Sequence, residues 1–476
     1  MPDSSRGARP DLAVLLSVRR DLLMTPTSAL WYIILFLWAA YLPYGGQFAF
    51  NYLRYRKRFT FKATGKAPPV GDHIVFQVTT TSVTENPKMV GGTIERVREA
   101  CTSLGFRNYS IRTLSDDPRD RSNPFGVDIA MVTPPEYETN AVRKGRSLQY
   151  AVEAYRSEPG DKSRKWIFHL DEESVMLPQT LEAVLTFIAS GKGTLAEGPI
   201  FYPSVFTKNP VTRIADAIRS STCYFCISTM TGGKAPAHIH GSNLLVRMDV
   251  ECEVGWALGK TIAEDQLFGL KVFEKYPKMG WHGGVVLESS PRTVTGLVAQ
   301  RKRWVVGTLQ NWKQMAAGVK RSTAMRFGIW GVGFVAALVA VPLWLATFAY
   351  VPVKLYNPSA SFLTFFFNAP YLTPGQVIFD LFDGRLTGHY LPLHPFETAL
   401  GFLALPSLLI WMGSYFLGFV YNHSFQFGDT KLRSHLMDVF VMMLSLPVIG
   451  VLENYPLVKG LVEYRQGRAD WVVTPK

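Results

Sequence analysis

Charged side chains vanish from three long stretches of this chain: between Asp21 and Arg54, between Arg326 and Lys354, and between Glu397 and Asp429. Each stretch is longer than the roughly 20 apolar residues that cross the hydrocarbon core of a bilayer. Trp, Tyr and Phe gather toward their ends, where amphipathic rings favour the headgroup layer. The pattern predicts transmembrane helices over 28–53, 326–353 and 397–422. The first run is too long for a secretory signal, and no small-residue cleavage site follows it. Ahead of it, Arg6, Arg9, Arg19 and Arg20 suggest that 1–27 is an amphipathic segment lying on the membrane surface. Pro358, Pro370 and Pro374 break the apolar stretch after the second run, so 354–396 reads as a loop with an interfacial segment. Residues 439–452 are uncharged but short and contain Pro447, which suits a re-entrant or interfacial helix within 423–476 better than a crossing.

The region between the first two runs has a different rhythm. His73–Thr79, Tyr109–Leu114, Val127–Val132 and Trp166–Leu170 read as strands, and helical spacing over Lys88–Leu104 and around Leu148–Glu153 separates them. Strands alternating with helices imply a mostly parallel sheet covered on both faces. Ligands of such sheets bind beyond the carboxyl ends of the strands, where Thr80, Asp116 and Asp171 fall.

Three clusters there carry candidate chemistry. Asp171-Glu172-Glu173 follows a buried strand, and three adjacent acids repel one another unless a positive charge sits among them. A divalent cation with oxygen ligands, bridging substrate phosphates, meets that need; a helix N-terminus is the plainer account. Glu264-Asp265 opens an evident helix and reads either as a capped first turn or as a catalytic base. Gln300-Arg-Lys-Arg-Trp304 precedes the second apolar run and reads either as a basic membrane anchor or as a site that binds pyrophosphate and stacks a ring.

Composition narrows the field. There are 50 Lys and Arg against 37 Asp and Glu, a net charge of +13, in 476 residues that are 47% hydrophobic. The basic residues concentrate at membrane flanks, so nucleic acid is a poor partner for this chain. Arg54, Arg56, Lys57, Arg58 and Lys62 follow the first apolar run, which places 54–325 in the cytosol as one catalytic domain. Four cysteines form no framework, and Cys223-Tyr-Phe-Cys226 lacks a second pair, so the expectation is packing rather than structural zinc.

The ordered set of strand-terminal acids, Glu-Asp and Gln-x-x-Arg-Trp resembles the family-2 membrane glycosyltransferases, over about residues 73–310, the apolar helices and the tail ending at Lys476. Within that family, Lys144-Gly-Arg-Ser-Leu-Gln-Tyr-Ala151, His169-Leu-Asp-Glu-Glu173, Ile262-Ala-Glu-Asp265 and Gln300–Trp304 are similar to the egghead-type β-1,4-mannosyltransferases. The resemblance implies a nucleotide-sugar-binding α/β domain of GT-A type, joined to α-helical membrane segments. It implies an inverting transfer from a nucleotide-sugar donor, GDP-mannose being favoured, to a lipid-linked or glycan acceptor. Thr80 and Asp116 would line the nucleoside pocket, with Lys144, Arg146, Asp171, Gln300, Arg301 and Arg303 also on the donor side. Asp171 and Glu173 would hold Mg2+ or Mn2+. Asp265 would be the general base, and Trp304, Glu264, His240, Gly241 and Ser242 would face the acceptor. Glu173 stands where the family has a second Asp, and Thr80-Thr-Ser-Val-Thr-Glu85 replaces the common Pro-x-Tyr-Asn-Glu.

Two other readings remain open on the residues: a UDP-glucose or UDP-N-acetylglucosamine donor, and a transporter or scaffold with a structural acidic triplet. Three crossings without intramembrane ionisable residues argue against the last. The expected home is a lipid membrane: the plasma membrane in a prokaryote, the ER or Golgi in a eukaryote.

Overall fold

A computed structural model describes residues 26–122, 125–203, 206, 209–236, 238–318, 395–427 and 432–467. In chain order the elements are α1 (Pro26–Tyr55), β1 (His73–Thr79), α2 (Pro87–Ser103), β2 (Tyr109–Ser115), β3 (Ile129–Val132), α3 (Lys144–Ser157), β4 (Lys165–Asp171), β5 (Val175–Met176), α4 (Pro178–Ser190), β6 (Leu195–Glu197), β7 (Ile200–Phe201) and α5 (Pro210–Thr231). They continue with β8 (Leu244–Arg247), α6 (Met248–Val254), α7 (Glu264–Lys275), β9 (Met279–Trp281), β10 (Val286–Leu287), α8 (Val294–Gly318), α9 (Pro395–Phe427) and α10 (Leu432–Arg465).

Seven strands form the main sheet in the order β3-β2-β1-β4-β8-β6-β9. Every pairing in it is parallel except those of β8 with β4 and β6, so β8 alone runs in reverse. The mostly parallel α/β sheet is the one the strand–helix alternation predicts. Alternate strand residues serve opposite faces. Ile74, Phe76 and Val78 pack with Phe168 and Leu170 against α2 and α4, whereas Val75 and Ile167 join Leu148, Val152 and Tyr155 of α3 and Phe268 of α7. The helices supply matching stripes: Val90, Ile94, Val97 and Cys101 of α2 recur at the spacing that puts one helical face on a sheet.

The second face also carries a buried polar chain. Tyr155 OH donates to Gln77 Oε1, Gln77 Nε2 meets His169 Nδ1 at 3.3 Å, and His169 Nε2 lies 3.0 Å from Glu251 Oε2. Trp256 Nε1 donates to the other Glu251 oxygen at 2.8 Å. Each buried polar group is matched, which is what makes such a chain tolerable in a core.

A three-stranded sheet, β5-β10-β7, lies apart from the main one. The sequence predicted neither it nor β6, β8 and β9, because runs of two to four residues show no readable alternation.

The first and third apolar runs do form helices, α1 with Pro43 inside and α9 with Pro406 inside. Among the described residues, however, no helix is long and apolar enough to cross a membrane. The expected spans are therefore not supported there, and both helices carry polar groups that the chain uses for packing. Asn422 Oδ1 of α9 accepts from Tyr202 N at 2.9 Å and from Ser220 Oγ at 2.8 Å, and Gly418 sits where a Cβ would meet the Ala217 carbonyl at 2.0 Å. Residues 439–452, read above as a short re-entrant element, lie inside the continuous 34-residue α10. The expected second span at 326–353, almost all of the 354–396 loop, the 1–27 segment up to residue 25 and the tail from 468 lie outside the described residues.

Candidate active site

Strands β1, β2 and β4 all run into one edge of the sheet, and the residues leaving them meet there. Thr79 of β1 is in register with Asp171 of β4. Thr80 donates its hydroxyl to Glu172, and Asn86 Nδ2 donates to the same carboxylate at 3.3 Å. Ser82 Oγ donates to Asp117 at 2.6 Å, and Asp120 accepts the backbone N–H groups of Val83 and Thr84. The Thr80–Glu85 segment is thus pinned by carboxylates, which gives a physical role to a sequence that departs from the family pattern.

Asp116, at the end of β2, accepts from Ser147 Oγ at 2.5 Å and from Arg146 at 3.3 Å. Arg146 also donates to the carbonyls of Pro134, Pro135 and Tyr137. Expected beside the donor phosphates, it ties the loop after β3 to α3.

Lys144, the first residue of α3, is the hub. Arg143 before it adopts φ 55°, a conformation that costs a non-glycine residue of order 1–3 kcal/mol. Lys144 Nζ lies 2.5 Å from Asp171 Oδ1 and donates to the Gly241 carbonyl at 3.0 Å. Burial works against its charge, but Asp171, Glu264 and Asp265 outweigh that and hold its pKa above the ordinary lysine value.

The acidic pair occupies the first turn of α7. A Cβ on Gly145 would stand 3.2 Å from Glu264 Cβ, so α3 and α7 meet almost backbone to side chain. Gln266 N–H donates to Asp265 Oδ1 at 2.8 Å, and Asp265 Oδ2 faces Gly241, 3.0 Å from where a Cβ would sit. Burial raises both carboxyls; Asp265 adds to the effect on Glu264, which is pushed up to about 7. Asp171 raises Asp265 further, while Lys144 and Arg303 pull both members down. Arg303 therefore belongs to this end of the molecule.

The sequence did not single out Glu288. It follows β10, and its carboxylate, with those of Asp171 and Glu173, offers oxygens that lie within 4.8 Å of one another. Glu173 and Glu288 are buried. Burial and the Asp171 charge raise the Glu288 pKa, which is what packed carboxylates do without a cation among them. Ser242 Oγ donates to Glu288 at 2.7 Å and lies 3.0 Å from Ser174 Oγ, which in turn accepts from Asp171 N–H. An all-oxygen donor set of this kind suits a hard divalent cation such as Mg2+ or Mn2+. The available signal was an acid closing the apolar run Val285-Val-Leu287, the same cue that marked Asp171 after β4.

The Gln300–Trp304 segment lies on α8 and divides by role. Arg301 is buried; it donates to Asp216 at 2.6 Å, to Glu453 at 2.9 Å and to Gln300 Oε1 at 2.8 Å. Expected on the donor phosphates together with Gln300, it instead joins α8 to α5 and α10. Trp304 is flanked by two guanidiniums, Arg219 at 4.7 Å and Arg301 at 4.3 Å from its ring centre. His240, expected toward the acceptor, is buried against Cys223 and Glu197. Its neighbours Gly241 and Ser242 contact Lys144 and Glu288.

Residues 166–371 match the model of Glycosyl transferase family group 2. The chain is 28% identical over 291 residues to "Beta-1,4-mannosyltransferase egh" of Drosophila melanogaster, covering 59% of this chain and 62% of that one. It is 26% identical over 278 residues to "Beta-1,4-mannosyltransferase bre-3" of Caenorhabditis elegans, covering 56% and 57%. A solved mannosyltransferase of Pyrobaculum calidifontis, in complex with GDP-Man and Mn2+, aligns over 80% of this chain and 98% of its own at 12% identity. Its TM-score of 0.45 is too low to carry an argument. The chain is thus similar to family-2 glycosyltransferases over residues 166–371 and, over a little more than half its length, to the egghead-type β-1,4-mannosyltransferases.

Proposed function

We propose that this chain is an inverting hexosyltransferase of GT-A type that moves mannose from GDP-mannose to a hydroxyl of a lipid-linked or glycan acceptor, forming a β-(1,4) bond. One observation carries the reading: Lys144 bridges a carboxylate cluster at the strand ends to a raised acid pair on α7. One half is built for a leaving diphosphate and the other for a proton. The names of the fly and nematode relatives support the sugar and the linkage.

Asp265 accepts the proton of the attacking hydroxyl through Oδ2, the oxygen facing Gly241, while Gln266 N–H orients Oδ1. Such base catalysis contributes typically 10²–10⁴-fold. Lys144 fixes the separation of the two halves and pairs with Asp171. Asp171, Glu173 and Glu288 would hold Mg2+ or Mn2+, which supplies positive charge to the departing diphosphate oxygens. With no enzyme nucleophile between donor and acceptor, a single displacement turns an α-linked donor into a β-linked product.

The membrane setting is part of the same proposal. Exposed large apolar side chains among the described residues fall mainly on α1, α9 and α10, among them Phe50, Leu53, Leu409, Phe440 and Val458. Such surfaces suit contact with lipid, and the basic residues that follow α1 favour a cytosol-facing domain.

The test is a panel of sugar nucleotides given to the purified chain with Mg2+ or Mn2+ and a mixed glycolipid acceptor. GDP released from GDP-mannose, and lost in Glu288→Gln, is the expected result. Release of UDP instead would move the donor to the alternative reading.

A further inference from the structure

Cys223 and Cys226 lie one turn apart on α5, on one face of the helix, and both are buried. After α5 the chain turns through Gly232 and Gly233 and comes back over them as the segment 238–243. Ile239 anchors this return by packing so closely on Gly269 that a Cβ there would meet its Cδ1 at 1.9 Å. His240 is thereby delivered to the two sulfurs, with Nε2 at 3.7 Å from Cys223 Sγ and 3.9 Å from Cys226 Sγ. The three ligand atoms lie within 4.8 Å of one another. Zinc bonds of about 2.3 Å to sulfur and about 2.0 Å to nitrogen, at tetrahedral angles, hold S and N about 3.5 Å apart. The observed spacing is therefore close to that of a coordination shell.

Two further observations point to a ligand. Glu197 is wholly buried, as is all but 8% of His240; His240 Nδ1 has no hydrogen-bond partner among the described residues, and the Cys226 thiol faces the Glu197 carboxylate. Glu197 Oε2 lies 3.5 Å from that Nδ1 and accepts the His240 backbone N–H at 3.0 Å. A carboxylate behind the far nitrogen of a histidine is the usual support of a metal-binding imidazole. Unmatched buried polar atoms are costly in a core that nothing else fills. His238 Nδ1 lies 3.9 Å from Cys226 Sγ.

We propose that Cys223, Cys226 and His240 bind one zinc-class divalent cation through two thiolates and Nε2, with Glu197 orienting the imidazole and His238 facing the fourth position. On binding, both thiols lose their protons to solvent and two S–metal bonds form, with no change of oxidation state. Thiolate and imidazole ligands separate this site from the all-oxygen cluster at Asp171, which prefers Mg2+ or Mn2+. Its effect is to staple the segment that carries Gly241 and Ser242, and so to fix the partners of Lys144 and Glu288.

The test is metal analysis of the purified full chain after exhaustive dialysis. About one zinc per chain is expected, retained in Glu288→Gln and lost in Cys223→Ser/Cys226→Ser. Because the double variant could misfold, Co2+ exchange into the wild-type chain is the second measurement. A strong sulfur-to-cobalt charge-transfer band is expected, and it persists in the conservative His240→Cys variant. A wild-type chain with no stoichiometric zinc, with no such band, or with a Cys223–Cys226 disulfide by mass spectrometry overturns the proposal.

Discussion

Two charged clusters within the catalytic unit invite comparison. Around Asp216, Arg301 and Arg219 face Asp216 and Glu453, two cations against two anions, with Arg301 at 2.6 and 2.9 Å from its partners. At the strand ends, Lys144 and Arg303 face Asp171, Glu173, Glu288, Glu264 and Asp265. The first cluster balances its own charge and holds three helices together. The second leaves carboxylates in excess and raises the pKa of several of them, which is the electrostatic condition for taking up a cation and a proton. Sequence displays charge in both places; only the balance of partners separates a joint from a site.

The largest expected effect comes from the site. Asp265→Asn should cut transfer by about 10²–10⁴-fold while GDP binding, followed by calorimetry, stays within a few-fold of wild type. Retained turnover would remove Asp265 from the base role. Next comes the joint: Arg301→Met should lower the unfolding free energy by about 3–5 kcal/mol, because it strands Glu453 and leaves buried Asp216 only Arg219, 3.6 Å away. Chemical denaturation reads this, and turnover per folded molecule should change far less. A collapse of turnover with stability intact would place Arg301 in the site after all.

The smallest effect is a shift of pH profile. Glu264 is pushed up to about 7 and interacts with Asp265, so below that pH the pair shares a proton and Asp265 is a weaker acceptor for the hydroxyl proton. The rate should therefore rise as pH passes upward through about 7, and Glu264→Gln should move this ascending limb to lower pH. The sign for stability is opposite. A carboxyl raised from 4.5 to about 7 favours folding while it is protonated, and that contribution fades as pH climbs through this window.

The long strands were readable because Ile74–Val78 and Trp166–Leu170 are buried on both faces and so appear as nearly continuous apolar runs, interrupted by Gln77 and His169, that end in polar or acidic residues. Asp171 and the Glu264-Asp265 pair could be nominated from such cues. Glu288 offered the same cue in a weaker form, since its strand is only Val286–Leu287 and its partners are 46 and more positions away. Arg301 looked like a phosphate ligand because its true partners lie 85 and 152 positions distant. The charge-poor runs announced long helices at α1 and α9, and among the described residues no helix is long and apolar enough to cross a membrane. The Cys223–Cys226 pair has no second cysteine pair in the sequence, and the side chain that approaches both sulfurs, His240, lies 14 and 17 positions away on the returning chain.

The reversed course of β8 has an outcome of its own. Leu244 opens β8 directly beside His169 near the close of β4, so an entering segment, 238–243, reaches the same rim as the exits of its parallel neighbours. The connection between α5 and β8 can therefore change in length and residue content, reshaping one wall of the cleft, without moving any strand that presents the nucleotide half.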